Sequence, residues 1–168
     1  MQTLVSFIDQ LNRTIGRVVS VAVLLMTLIT FVVVVLRYGF DTGWIALQES
    51  VMYLHAFLFM LGAAYTLGED AHVRVDIFYR RFSAKKKALV NLIGALLLLL
   101  PTCIFIIVMS WDYVATSWRL LESSKEAGGL PLVFVLKSLI PVFCGLLILQ
   151  GTADILRNTQ VLTKQGEH

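Results

Sequence analysis

"VVSVAVLLMTLITFVVVVL", Val18–Leu36, is a stretch of nineteen residues without a charge, dense in Val, Leu and Ile. A helix that crosses a bilayer needs ~20 predominantly apolar residues. Three further stretches have the same character: Ser50–Gly68, Ala88–Trp111 with its "LLLLL" run before Pro101, and Leu130–Ala153, interrupted by Lys137. In hydrocarbon every backbone N–H and C=O must be satisfied within the chain, which leaves helices or a closed barrel. Barrel strands alternate polar and apolar residues over ~10-residue segments, and these runs do not alternate. The reading is an all-α membrane protein, a single membrane domain over 1–168. Its spans fall near 17–37, 49–68, 87–111 and 132–156. Pro101 removes one helical hydrogen bond and is expected to bend the third span.

Composition agrees. The chain is 58% hydrophobic and 15% charged, against roughly 45–50% and 25% in soluble domains. So short a chain cannot hide that much apolar surface from water. Net charge is +3, but the basic residues lie beside apolar spans, where membrane topology and anionic lipid account for them. No zinc, RNA or DNA motif accompanies them, so nucleic acid is not an expected partner. Cys103 and Cys144 both fall inside apolar runs and read as small packed hydrophobes. The N-terminal apolar run is too long for the core of a signal peptide, and no small-x-small cleavage site follows it.

Ten of the fourteen basic residues collect on one side if both termini and the Glu69–Lys87 loop share it. That bias predicts an N-in, C-in topology. Trp44, Trp111 and Trp118 fall in or beside the opposite loops, where an aromatic belt would lie. Ahead of the first span, Leu4, Phe7, Ile8, Leu11 and Ile15 recur at helical spacing, opposite Asp9, Gln10, Asn12 and Arg13. This predicts a short amphipathic helix over about 3–15 on the membrane surface; a plain extension of the first span is the alternative. Trp111–Glu126 holds neither Pro nor Gly before "AGGLP" at Ala127–Pro131. The third helix is therefore expected either to project from the outer face for a few turns or to lie down at the interface.

Candidates for chemistry are few. The polar island "YTLGEDAHVRVDIFYRR", Tyr65–Arg81, offers Glu69, Asp70, His72 and Asp76. A metal helix of the H-E-x-x-H kind needs a second His one turn away, and none is near. Acids interleaved with Arg74, Arg80 and Arg81 read as a solvated loop of ion pairs with partner contacts. His55 lies within the second span; a single buried His cannot form a bis-histidine haem site, and a hydrogen bond to a neighbouring helix is expected. Glu49 and Lys137 sit at the outer ends of the second and fourth spans. They are expected to pair with each other or with charges on a partner. No charge lies deep in a span, as a transport pathway would require. Gly62, Ala63, Ala64 and Gly68, with Gly145 and Gly151, read as close-packing surfaces. No cofactor is implied.

Three stretches together resemble a known family: "WIALQESVMYLHAFLFMLGAAYTLGEDAHVRVD" (Trp44–Asp76), "SSKEAGGLP" (Ser123–Pro131) and "KSLIPVFCGLLILQGTADILR" (Lys137–Arg157). In order and place they resemble the small membrane subunit, Q or DctQ-type, of tripartite ATP-independent periplasmic (TRAP) transporters. Where many relatives carry paired acids at the entry to the second span, this chain has Gln48–Glu49. The resemblance implies a multi-pass subunit of the bacterial inner membrane with no catalytic role. Its partners would be a large M subunit, which carries substrate and sodium sites and moves as an elevator, and a periplasmic substrate-binding protein, P, that delivers an organic acid. Trp44, Glu49, His72, Arg74, Asp76 and Lys137 become candidate interface or structural residues, and His72, Arg74 and Asp76 are expected to serve assembly with M. Alternatives are an independent four-helix transporter or channel, and a membrane redox or enzyme subunit.

Overall fold

The computed structural model describes residues 2–71, 79 and 81–164. Four long helices run up and down: α1 (Gln2–Gly39), α2 (Ile45–Gly68), α3 (Ala84–Arg119) and α4 (Val133–Lys164). All four are long and apolar enough to cross a membrane, and no strand occurs among the described residues. At 1.5 Å per residue, the 38 residues of α1 and the 36 of α3 reach about 57 and 54 Å. A hydrocarbon core is ~30 Å thick, so both helices emerge from it.

α4 is the hub and packs against each of the other three helices, while α1 lies along α2. Where α2, α3 and α4 meet, Ala64, Cys103, Cys144, Leu146 and Leu147 are buried together. A second cluster joins Val5 and Ile8 of α1 to Ala153 of α4, which puts the two ends of the chain at the same end of the bundle. Large apolar side chains such as Leu24, Phe31, Leu97 and Phe105 point outward, as lipid solvent permits.

Glycines set the closest approaches. A Cβ at Gly16 would stand 2.5 Å from the Tyr65 ring, and one at Gly68 would stand 3.0 Å from the Gln150 amide. Gly151 admits Leu99, whereas a Cβ at Gly62 would make only ordinary contact with Val19 and one at Gly145 would meet nothing. The expected small-residue surfaces therefore divide: Gly68 and Gly151 are used, Gly145 is not, and Gly16, outside that set, is as close to Tyr65 as Gly151 is to Leu99, 2.5 Å in each case.

α3 begins at Ser83, whose hydroxyl accepts the Lys86 N–H, a standard N-cap. Ahead of Pro101, residues Ala95–Leu99 form a π-turn in which the Leu100 N–H reaches back to Ala95. Proline lacks an N–H and its ring collides with the carbonyl four residues earlier, so widening the turn by one residue accommodates it.

The structure decides one open reading and adds a helix end that the sequence did not show. Of the two readings of the amphipathic segment, the extension of the first span holds: α1 is continuous from Gln2 to Gly39. Its Asn12 faces inward and is 2% exposed, while Leu4 and Phe7 face outward. Polar partners on α2 and α4 override the apparent water-facing stripe. α3 also stops short of the "AGGLP" turn. It ends at Arg119, where Leu121 takes φ 45°, its N–H bonds to Trp118 and that of Glu122 to Ser117. This is the paired closure usually made with glycine; leucine filling it hid the helix end from the sequence. The chain beyond folds back, with the Ser124 N–H on Leu130 and the Val133 N–H on Glu122.

Candidate functional site

Polar side chains gather at the two ends of the bundle. At the end away from the termini, Glu49 in the first turns of α2 accepts the Leu130 backbone N–H at 2.6 Å and the Ser124 hydroxyl. The carboxylate thus clamps both limbs of the loop between α3 and α4. Gly128, at φ +81°, turns this loop. A Cβ on Gly129 would stand 2.6 Å from Ser124 Cβ and 2.8 Å from the Glu49 carboxylate, so the glycines of "AGGLP" are needed for closure.

Lys137, one turn into α4, pairs with Glu122 and lies 3.8 Å from the centre of the Tyr113 ring. A lysine over an aromatic face gains cation–π attraction as well as its ion pair. The Lys137 hydrogen bond holds the Glu122 carboxyl below its ordinary value. Beside it the Trp118 indole donates to the Ser138 hydroxyl at 2.7 Å and meets the Phe134 ring edge-on at 4.7 Å. Glu49 and Lys137, expected to pair with each other or with a partner, instead bond within the chain to different groups of one loop. Trp44 stands exposed at the start of α2.

The opposite end holds a network that the sequence did not announce. Gln150 of α4 is fully buried. Its carbonyl accepts the Asn12 amide at 2.7 Å, and its amide donates to Asp9 at 3.2 Å and Asp154 at 3.5 Å. Arg157 pairs with Asp9 and Asp154, and Arg13 pairs with Glu69 at 3.1 Å. These groups tie α1, α2 and α4 together around a cavity of about 190 Å³. Asp9 and Gln150 are 141 residues apart, so no local pattern joins them. A glutamine inside an otherwise apolar run was the one available signal.

His72, Arg74 and Asp76 lie outside the described residues. His55 departs from expectation: it is exposed on α2 and bonds to no neighbouring helix among the described residues. It shares its outward stripe with Met52 and Phe59. Among the described residues no group of three or more His, Cys, Asp or Glu is placed to hold a metal ion.

Known proteins place this architecture. Residues 26–161 match the family model of the DctQ component of tripartite ATP-independent periplasmic transporters. A Haemophilus influenzae protein, provisionally assigned as a TRAP transporter small permease protein, is 32% identical over 111 residues, covering 66% of each chain. The Vibrio cholerae C4-dicarboxylate TRAP transporter small permease protein DctQ is 28% identical over 88 residues, 52% of this chain and 38% of that one. The chain thus spans about two-thirds or less of the length of these curated relatives. No solved structure matches it significantly. With four membrane-length helices and a family match across most of its length, the chain is a multi-pass inner-membrane protein that belongs to the DctQ family of TRAP transporter components.

Proposed function

We propose that this chain is the non-catalytic small permease subunit of a sodium-driven importer of an organic acid. It acts as a scaffold beside a large membrane subunit and helps receive a periplasmic substrate-binding protein. The C4-dicarboxylate in the name of the Vibrio cholerae relative supports a carboxylate substrate. The charged groups support a scaffold: the pairs at both ends of the bundle close within the chain and leave no charged path along it among the described residues. His72, Arg74 and Asp76 of the inner loop belong to assembly in this reading, as does the N-in, C-in topology that puts them in the cytoplasm.

The observation that carries the proposal is His55. It stands near the middle of a 24-residue span with its side chain outward. Hydrocarbon is a poor solvent for an imidazole, and intramembrane polar groups usually face protein. A neighbouring membrane subunit against the Met52–His55–Phe59 stripe meets that need.

Affinity purification of the tagged chain from native membranes tests this. The wild type should bring down a larger multi-span protein. His55→Leu should lower its recovery about fivefold, the loss of one interhelical hydrogen bond of ~1 kcal/mol. A chain that purifies alone, or a variant with full recovery, contradicts the proposal.

A further inference from the structure

Three contacts fix one layer across the bundle. The Asn12 amide bonds Gln150 at 2.7 Å, Gly68 closes on the same glutamine, and the adjacent Gly151 admits Leu99. From this layer the uncharged part of each helix can be followed toward the end of the bundle that holds both termini. On α1 it has already stopped, because Arg13 adjoins Asn12, and on α2 it stops one residue on, at Glu69. On α4 it stops at Asp154, four residues on, or about 6 Å. α3 alone continues, for twelve residues to Lys87, or about 18 Å. Along this foot Leu89, Ile93 and Leu97 point outward, each about half exposed or more.

The opposite end is displaced in the same sense. α3 meets a charge at Asp112, 13 residues from Leu99, and α4 at Lys137, 13 from Gln150, about 20 Å in each case. α2 runs 19 residues from Gly68 to Glu49, and α1 runs 25 from Asn12 to Arg37, about 29 and 38 Å. α3 packs on α4, whereas α1 packs on α2 and α4, so the uncharged belt crosses the bundle at a slant. A protein laid over the foot of α3 would cover that foot without making its other end turn polar early. A flat slab of lipid, crossed by a leaning bundle, requires both.

The charges choose the lipid. The foot ends at Lys85, Lys86 and Lys87, of which the first two are exposed and have no acidic partner among the described residues. Lys87 lies 5.3 Å from the centre of the Tyr79 ring. A basic cluster where an apolar face meets the membrane surface attracts anionic headgroups.

We infer that the foot of α3, residues 85–97, is a docking surface for anionic phospholipid. Acyl chains cover Leu89, Ile93 and Leu97, headgroup phosphates sit on Lys85 and Lys86, and the bundle leans to bring this side into the bilayer. The inference rests on the membrane-spanning fold and not on the transport reading.

Depth and headgroup are tested separately on the full-length chain. A nitroxide on Leu89→Cys is compared with one on Phe7→Cys in vesicles of phosphatidylcholine and phosphatidylglycerol, the native cysteines being buried. Leu89 lies ten residues beyond the layer and Phe7 five, so an upright bundle would put Leu89 further into water. Collision with oxygen, which concentrates in lipid, relative to a water-soluble nickel chelate should instead be several-fold higher at 89. An equal or reversed order overturns the proposal. For the headgroup, native mass spectrometry counts the lipid bound from equal phosphatidylglycerol and phosphatidylcholine with matched acyl chains. Lys85→Gln with Lys86→Gln should cut the phosphatidylglycerol preference about 25-fold, a factor of about five for each lysine. Arg119→Gln with Lys125→Gln, at the other end, should leave it unchanged. No loss in the first variant, or an equal loss in both, overturns the proposal.

Discussion

Glu49 and Leu130 are 81 residues apart, yet the carboxylate of one holds the backbone N–H of the other at 2.6 Å. A side chain at the start of α2 therefore fixes the shape of the loop that leads into α4. Glu49→Ala should leave the four helices in place and free this loop. Hydrogen–deuterium exchange across 123–131 should accelerate by a factor of several, with little change in Ala64 or Leu146 of the core. Unchanged exchange in the loop would mean that the clamp contributes nothing in solution.

The Glu122–Lys137 pair gives a pH dependence with a definite sign. Glu122 is held below its reference value of 4.5, so the folded loop favours its ionised form. Its contribution is complete above that value and is lost as pH falls through the lower folded value. Loop exchange, corrected for its intrinsic pH dependence, should be flat from neutral pH to about 5 and then rise on acidification. Glu122→Gln should raise exchange at neutral pH and remove the part of the acid response that belongs to this group. An identical acid response in wild type and variant would contradict the pairing.

Helix contacts at glycine should be selective. Gly16→Ala places a Cβ against the Tyr65 ring, with three atoms closer than 3 Å. A clash of this kind costs roughly 1–3 kcal/mol, read as a lower unfolding midpoint in detergent. Gly145→Ala meets nothing and should be neutral or stabilising by up to about 1 kcal/mol through helix propensity. Equal effects at both positions would show that the α1–α2 approach is looser than the structure has it.

Both cysteines are shielded. Cys103 and Cys144 are 3% and 0% exposed and share the central cluster. In the folded chain neither should react with a water-soluble maleimide, and both should react after denaturation in SDS, since access governs thiol reactivity. Fast labelling of the native chain would show that α3 and α4 part.

Much of this was legible in the sequence because lipid makes the rules simple. Val18–Leu36 and its counterparts are uncharged over the length of a bilayer, save for Lys137 in the fourth, so four helices followed from hydropathy alone. The family could be read from Trp44–Asp76 and Lys137–Arg157, where order and placement carried more than any single residue. The polar junctions could not be read. Asp9, Asn12 and Arg13 form a stripe that water or protein could equally cover, and only the distant Gln150 and Arg157 decide between them. The end of α3 was hidden because Leu121 takes a conformation normally signalled by glycine. Glu49 and Lys137 were recognised as important, but their partners lie in a loop whose fold depends on them.

The central claim is that this chain lends its surface to a transporter and does not move solute itself. Uptake of a labelled C4-dicarboxylate into proteoliposomes under an inward sodium gradient tests it most directly. Vesicles are loaded either with this chain alone or with this chain and the proposed large membrane subunit, and supplied with the proposed substrate-binding protein. Uptake only in the complete system is the predicted result; uptake by this chain alone would contradict the account.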